Sequence, residues 1–75
     1  MFIIYSKDDC PWCIKAKTLL ENLGYQYQEK VLGKDYLKEE LVALLDRTKV
    51  TVPQIYHDSE HIGGFEDLVK YFGLK

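Results

Sequence analysis

Cys10 and Cys13 are the chain's only cysteines, three apart in the run KDDCPWCIK. A pair at that spacing can be a staple, half of a metal site, or a device for moving electrons. As a staple it is weak: a Cys-x-x-Cys bridge closes a very short loop, and the constraint placed on the unfolded chain grows with loop length. As a metal site it needs two further ligands. His57 and His61 have H-x-x-x-H spacing and would complete a Cys2His2 set. The usual gap between such pairs is about 12–15 residues. The stretch from Cys13 to His57 is far longer, and the histidines flank a turn signal instead of sharing a helix face. No metal is therefore expected, and electron transfer is the chemistry that fits.

Disulfides are attacked by thiolates, not thiols. Pro11 suits the first position of a helix, where its missing N–H is no loss. Cys10 then stands at the helix start, where free N–H groups and the positive dipole end favour an anion by about 0.3–1 kcal/mol, rising to about 2 in good geometry. Further stabilisation must come from N–H groups of the first turn, that of Cys13 included, and from the Cys13 thiol. Cys13 lies one turn further in and should be less exposed. Cys10 is thus expected to attack, and Cys13 to resolve the mixed disulfide.

The scaffold for this pair is small. A chain of 75 residues reads as one domain, residues 1–75, and chains of this size hide only roughly 60% of their unfolded surface. The net charge of −2 and the scattered basic residues argue against nucleic acid as the main partner. The opening MFIIYSKDD is too short an apolar run for a secretory signal or a membrane span. The expectation is a cytoplasmic protein, in a compartment where thiols stay reduced and a lone Cys-x-x-Cys is catalytic or metal-binding.

Phe2 to Tyr5 reads as a buried strand. A helix follows from Pro11, with Ala16, Leu19, Leu20 and Leu23 on one face and Gly24 as its stop. Tyr25 to Val31 alternates and reads as a second strand, parallel to the first because a helix joins them. Residues 34–47 read as a second helix, capped by Asp35 and striped by Leu37, Leu41, Leu44 and Leu45. Pro53 to His57 and His61–Ile62 form a hairpin across a turn at residues 57–60. Gly63-Gly64 breaks the pattern, and Phe65, Leu68, Val69 and Phe72 stripe a last helix closed by Gly73. The order β-α-β-α-β-β-α predicts an α/β fold, a four-stranded mixed sheet flanked by three helices.

Three motifs, in order, make the sequence resemble the glutaredoxin family, in particular its small dithiol members from bacteria and phages. They are Cys10-Pro11-Trp12-Cys13, Thr51-Val52-Pro53 and Gly63-Gly64-Phe65-Glu66-Asp67. The likeness extends over essentially the whole chain. It implies a thioredoxin-like fold, a glutathione site, and glutathione as co-substrate. It implies a cis peptide before Pro53, with the Val52 backbone pairing with the glutathione peptide. Thr51 lies in the same motif. Gly64 and the N–H groups of Phe65 and Glu66 would receive the γ-glutamyl carboxylate, and Asp67 its ammonium. Lys7 would pair with the glycine carboxylate. Trp12 replaces the usual tyrosine and keeps an aromatic plane beside the sulfur, exposed toward substrate.

The resemblance thus implies a monomeric thiol–disulfide oxidoreductase in electron transport to disulfide-containing proteins, with ribonucleotide reductase as a plausible substrate. Two alternatives stand beside it. One is a redoxin fed by thioredoxin reductase, against which Asp67 and the CPWC sequence argue. The other is a carrier of a glutathione-ligated [2Fe-2S] cluster, which the proline after Cys10 disfavours. Asp8 and Asp9 depart from the family pattern. Two carboxylates directly before the nucleophile oppose its ionisation, so Cys10 is expected to be less acidic, and the pair more reducing, than in relatives without them.

Overall fold

The computed structural model describes residues 1–46 and 50–74. The elements follow in the expected order: β1 (Phe2–Ser6), α1 (Pro11–Asn22), β2 (Tyr27–Val31), α2 (Lys38–Leu45), β3 (Gln54–His57), β4 (Glu60–Gly63) and α3 (Phe65–Tyr71). The sheet order is β2-β1-β3-β4. β1 runs parallel to β2 and antiparallel to β3, with Ile4 opposite Ile55. Asp58 and Ser59, both at positive φ (50° and 78°), turn β3 into β4, as a two-residue hairpin whose twist matches its strands requires.

Alternation along β1 sends Phe2, Ile4 and Ser6 to one face. There Phe2 and Ile4 pack with Ala16 and Leu20 of α1, Ile55 of β3 and Leu68 of α3. Each buried Phe, Ile or Leu side chain of this group contributes about 1.5–3 kcal/mol. On the opposite face Tyr5 meets Tyr36 and Tyr56 edge-on. One face of the sheet thus holds α1 against the core, and with it the cysteine pair.

Three boundaries differ from expectation, the first two because a backbone group is engaged elsewhere. β2 begins at Tyr27, not Tyr25. The Tyr25 N–H donates to Leu20 O and the Gly24 N–H to Glu21 O, at 2.9 and 3.1 Å. This pair of bonds closes α1 around Gly24 and takes Tyr25 out of the sheet. Leu23, expected on the core face, is exposed.

α2 begins at Lys38, not at residue 34. Asp35 does not cap it, since its carboxylate accepts the Val31 N–H at 2.8 Å and so closes the loop after β2. The Glu40 carboxylate instead accepts the N–H of Leu37, at 2.9 Å. Leu37 is left at the N-cap and exposed, and of the expected stripe only Leu41 is buried, with Leu45 partly covered and Leu44 exposed. Asp46, at φ 55°, caps its end, and the expected terminus at Arg47 lies outside the described residues. The third difference is in the hairpin, where β3 begins at Gln54, after Pro53, and β4 spans four residues, Glu60–Gly63.

Candidate active site

Cys10 is the N-cap of α1, with extended backbone (φ −119°, ψ 100°) and Pro11 following at the first helical position. Its sulfur accepts the backbone N–H of Cys13 at 3.2 Å, the donor expected to favour a thiolate there. Its carbonyl accepts the N–H of Ile14 at 3.1 Å. The two sulfurs are joined as a disulfide, with Cα atoms 5.2 Å apart, inside the ordinary range for a bridge. Cys10 is 6% exposed and Cys13 1%, so the expected attacker is the more accessible.

β1 delivers Cys10 to this position, and the end of β1 is anchored by polar side chains. Ser6, fully buried, donates its hydroxyl to the Glu29 carboxylate at 2.7 Å. Lys17 of α1 reaches the same oxygen at 2.9 Å. Burial opposes charge on Glu29, but the hydrogen bonds from Lys17 and Ser6 outweigh it and hold the carboxyl below its ordinary value. The Ser6 carbonyl accepts the Leu32 N–H and the Tyr36 hydroxyl, at 2.9 and 2.8 Å. Burial, and the neighbouring Tyr5, push the Tyr36 phenol upward.

Val52 joins the site from the other side. Its carbonyl oxygen lies 4.0 Å from Cys10 Sγ, and the Val52–Pro53 peptide is cis. A groove of about 220 Å³ is lined by Trp12, Thr51, Val52 and Pro53 together with Gly64, Phe65, Glu66 and Asp67. Trp12 is half exposed. It packs 5.7 Å from Phe65, and Lys15 Nζ sits 4.4 Å from its ring centroid. Asp67 turns back to accept the Gly64 N–H at 3.1 Å. That turn demands glycine at position 63: φ is +122°, and a side chain there would collide with the Asp67 carboxylate.

Lys7 is the one expected glutathione-binding residue outside this groove. It lines a second hollow, about 340 Å³, which shares Thr51 and Val52 with the groove. The histidines lie apart from the cysteines and from each other. His57 stacks on Phe2 in the core at 4.1 Å, while His61, paired in register with Tyr56, lies on the other face of the hairpin. Among the described residues no helix is long and apolar enough to cross a membrane.

Gln54 has a role that its position after Pro53 does not announce. It is 4% exposed. Its Nε2 donates to Thr51 O at 2.9 Å and contacts Thr51 Oγ1 at 3.3 Å, while its Oε1 meets His61 Nε2 at 2.8 Å. A carbonyl can only accept, so the amide is oriented by Thr51, and His61 must be the donor at its end. The chain His61–Gln54–Thr51 ties the β3–β4 hairpin to the segment beside Cys10. A buried amide after a proline is the only sequence signal for it, and burial is not visible in one sequence.

A dithiol that closes into a bridge at ordinary backbone spacing, one sulfur held by the Cys13 N–H of the first helical turn, is machinery for thiol–disulfide exchange. The fold and this pair define a thiol–disulfide oxidoreductase of the thioredoxin-like class. A family model for glutaredoxin matches residues 2–62, and the chain belongs to the glutaredoxin family. Glutaredoxin 3 of Escherichia coli (strain K12) is 46% identical over 66 residues, spanning 87% of this chain and 77% of that protein. Hybrid peroxiredoxin hyPrx5 of Haemophilus influenzae is 45% identical over 69 residues, 92% of this chain; the match spans only 28% of that longer protein. Among solved structures, glutaredoxin 1 from Francisella tularensis, complexed with cacodylate, superposes with a TM-score of 0.80 at 31% identity, covering 95% of this chain and 90% of that one. A buckwheat glutaredoxin–glutathione complex superposes with a TM-score of 0.76 at 27% identity, covering 95% and 66%.

Proposed function

We propose that the protein is a glutathione-dependent reductant of protein disulfides and glutathione mixed disulfides. The Cys10 thiolate attacks one sulfur of the substrate disulfide. That S–S bond breaks, a Cys10 mixed disulfide forms, and the other sulfur leaves as a thiolate that takes up a proton. The Cys13 thiolate then attacks Cys10 Sγ, closing the bridge and releasing the second substrate thiol. One glutathione opens the bridge by forming a mixed disulfide with Cys10. A second glutathione attacks the glutathione sulfur of that intermediate and leaves as glutathione disulfide. One substrate disulfide is reduced for two glutathiones oxidised.

The observation that carries this reading is the placement of the Cys10 sulfur 4.0 Å from the Val52 carbonyl, at the joint between the groove and the hollow. A peptide crossing Val52 would bring its cysteine to Cys10. Its γ-glutamyl end would meet the Phe65 and Glu66 N–H groups and the Asp67 carboxylate, and its glycine carboxylate would meet Lys7. Trp12 and Pro53 would cover the sulfur. We place the protein as a monomer in a reducing cytoplasm, with ribonucleotide reductase as one protein substrate to test.

The test is reduction of a small glutathione mixed disulfide, with electrons from glutathione plus its reductase or from thioredoxin reductase. We expect glutathione to sustain turnover, Cys10→Ser to be inactive and Cys13→Ser to retain activity on the mixed disulfide. Turnover with thioredoxin reductase alone would overturn the glutathione reading. A brown, cluster-bearing dimer on anaerobic purification would favour the iron–sulfur alternative.

A further inference from the structure

The hollow that holds Lys7 offers more than glutathione uses. Glutathione ends in glycine, which has no side chain to place. Yet the floor of the hollow is built from Leu32, Tyr36, Leu41 and Val50. That floor is anchored: the Leu32 N–H and the Tyr36 hydroxyl both end on the Ser6 carbonyl, at 2.9 and 2.8 Å. With its hydroxyl engaged there, Tyr36 offers the hollow its ring.

The charges on the two sides of Val52 are opposite. Glu66 and Asp67 line the groove, whereas Lys7 and Lys38 line the hollow. Neither lysine forms an ion pair with another described residue. The chain as a whole carries a net charge of −2, so a cationic rim around an apolar floor is a local feature.

We propose that this hollow reads the residues that follow the reactive cysteine of a protein disulfide, and that it selects a large apolar side chain followed by an acidic one. The occupant is an extended segment of a partner protein of the form Cys–apolar–Asp/Glu, running across Val52 in the direction assigned above to glutathione. The inference rests on that reading for the direction of the chain. An apolar side chain would cover Leu32 and the Tyr36 ring, and the carboxylate would reach Lys7 and Lys38. Glutathione would reach the hollow only with its glycine carboxylate at Lys7 and would leave the apolar floor uncovered, so this hollow would separate protein substrates from one another.

The test uses single-turnover reduction of symmetric peptide disulfides by the pre-reduced protein, following release of peptide thiol. Each disulfide yields two peptide thiols as Cys10 and Cys13 become bridged, so no other reductant enters. The peptides are acetylated, amidated Ala-Cys-Leu-Glu, Ala-Cys-Gly-Glu and Ala-Cys-Leu-Lys. We expect the Leu-Glu peptide to react about tenfold faster than Gly-Glu, from partial burial of one leucine, and about threefold faster than Leu-Lys, from half-solvated charge pairing. In Lys38→Glu the preference between Glu and Lys should reverse. Equal rates for Leu-Glu and Gly-Glu would overturn the inference, as would a Glu preference that Lys38→Glu leaves untouched. Either result with normal glutathione-driven turnover leaves the proposed function standing. Failure of glutathione to sustain turnover, with the peptide preferences intact, would sink that function and leave the hollow as a reader of peptides.

Discussion

Gln54→Ala should loosen the segment that faces Cys10 and show itself in KM more than in kcat. The substitution removes a good hydrogen bond to the Thr51 carbonyl, 2.9 Å, and a longer contact to its hydroxyl, 3.3 Å. A hydrogen bond of this kind is worth about 0.5–1.5 kcal/mol net. Thr51 is exposed, so water can replace the lost donor and no buried acceptor is orphaned. About 1 to 1.5 kcal/mol of preorganisation must then be supplied by substrate binding, which is a rise in KM of roughly five- to tenfold. Cys10 and Cys13 are untouched, so kcat at saturation should stay within about twofold. Alanine also deletes one buried methylene worth about 0.8 kcal/mol, which together with the lost hydrogen bonding should lower the melting temperature by on the order of 10 °C. Gln54→Met separates the two effects, because it keeps the length and most of the packing and loses only the polar atoms. Steady-state kinetics on a glutathione mixed disulfide, with thermal melts of both variants, decide the matter. If Gln54→Met leaves KM unchanged, Gln54 is only a satisfied buried amide and does not position the Thr51 segment.

Other consequences are as direct. The carboxyl of Glu29 is held below its ordinary value of 4.5 despite burial, chiefly by Lys17 and Ser6. Its stabilising contribution is therefore complete above that pH and lost as the pH falls through the lower folded value. The melting difference between wild type and Glu29→Gln should shrink in that acid range, and one that stays constant with pH refutes the pairing. Burial first, and then the hydrogen bond and charge of Glu21 and the charge of Glu29, raise the Tyr27 phenol from 10.0 to about 12. Stability should fall as the pH rises between those values, and ultraviolet titration of Tyr27→Phe against wild type should lack one late-ionising phenol. If Asp9 opposes ionisation of Cys10, Asp9→Asn should move the pH midpoint of Cys10 alkylation downward, and an unmoved midpoint would sink the idea. Asparagine is the proper replacement because Asp9 has φ 56°, a conformation asparagine tolerates.

Much of the site was legible because it is local. Pro11 puts Cys10 at a helix start, and i to i+3 spacing in that turn brings the Cys13 N–H to the Cys10 sulfur. The order of elements was equally readable, since the apolar run of β1, the α1 stripe and the hairpin each bury one face by a short-range rule. The errors fell where side chains compete for backbone groups. Asp35 could cap a helix or close a loop, and only the location of the Val31 N–H decides between them. Tyr25 alternates like a strand residue, but its N–H had already been taken by Leu20 at the end of α1.

The sequence by itself determined the chemistry and the family: one dithiol at a helix start, with the TVP and GGFED motifs following in order. The tertiary structure alone decided how the pieces from three regions of the chain meet. It set Val52 beside Cys10, put Lys7 on the far side of Val52 from Asp67, and grouped Lys7 with Lys38 above Leu32, Tyr36 and Leu41. It also gave Gln54 its partners on either side. The physical reason is range. Helix starts and strand alternation are written in neighbours a few residues apart, whereas a groove or a buried amide depends on strand register and crossover, which bring together residues far apart along the chain.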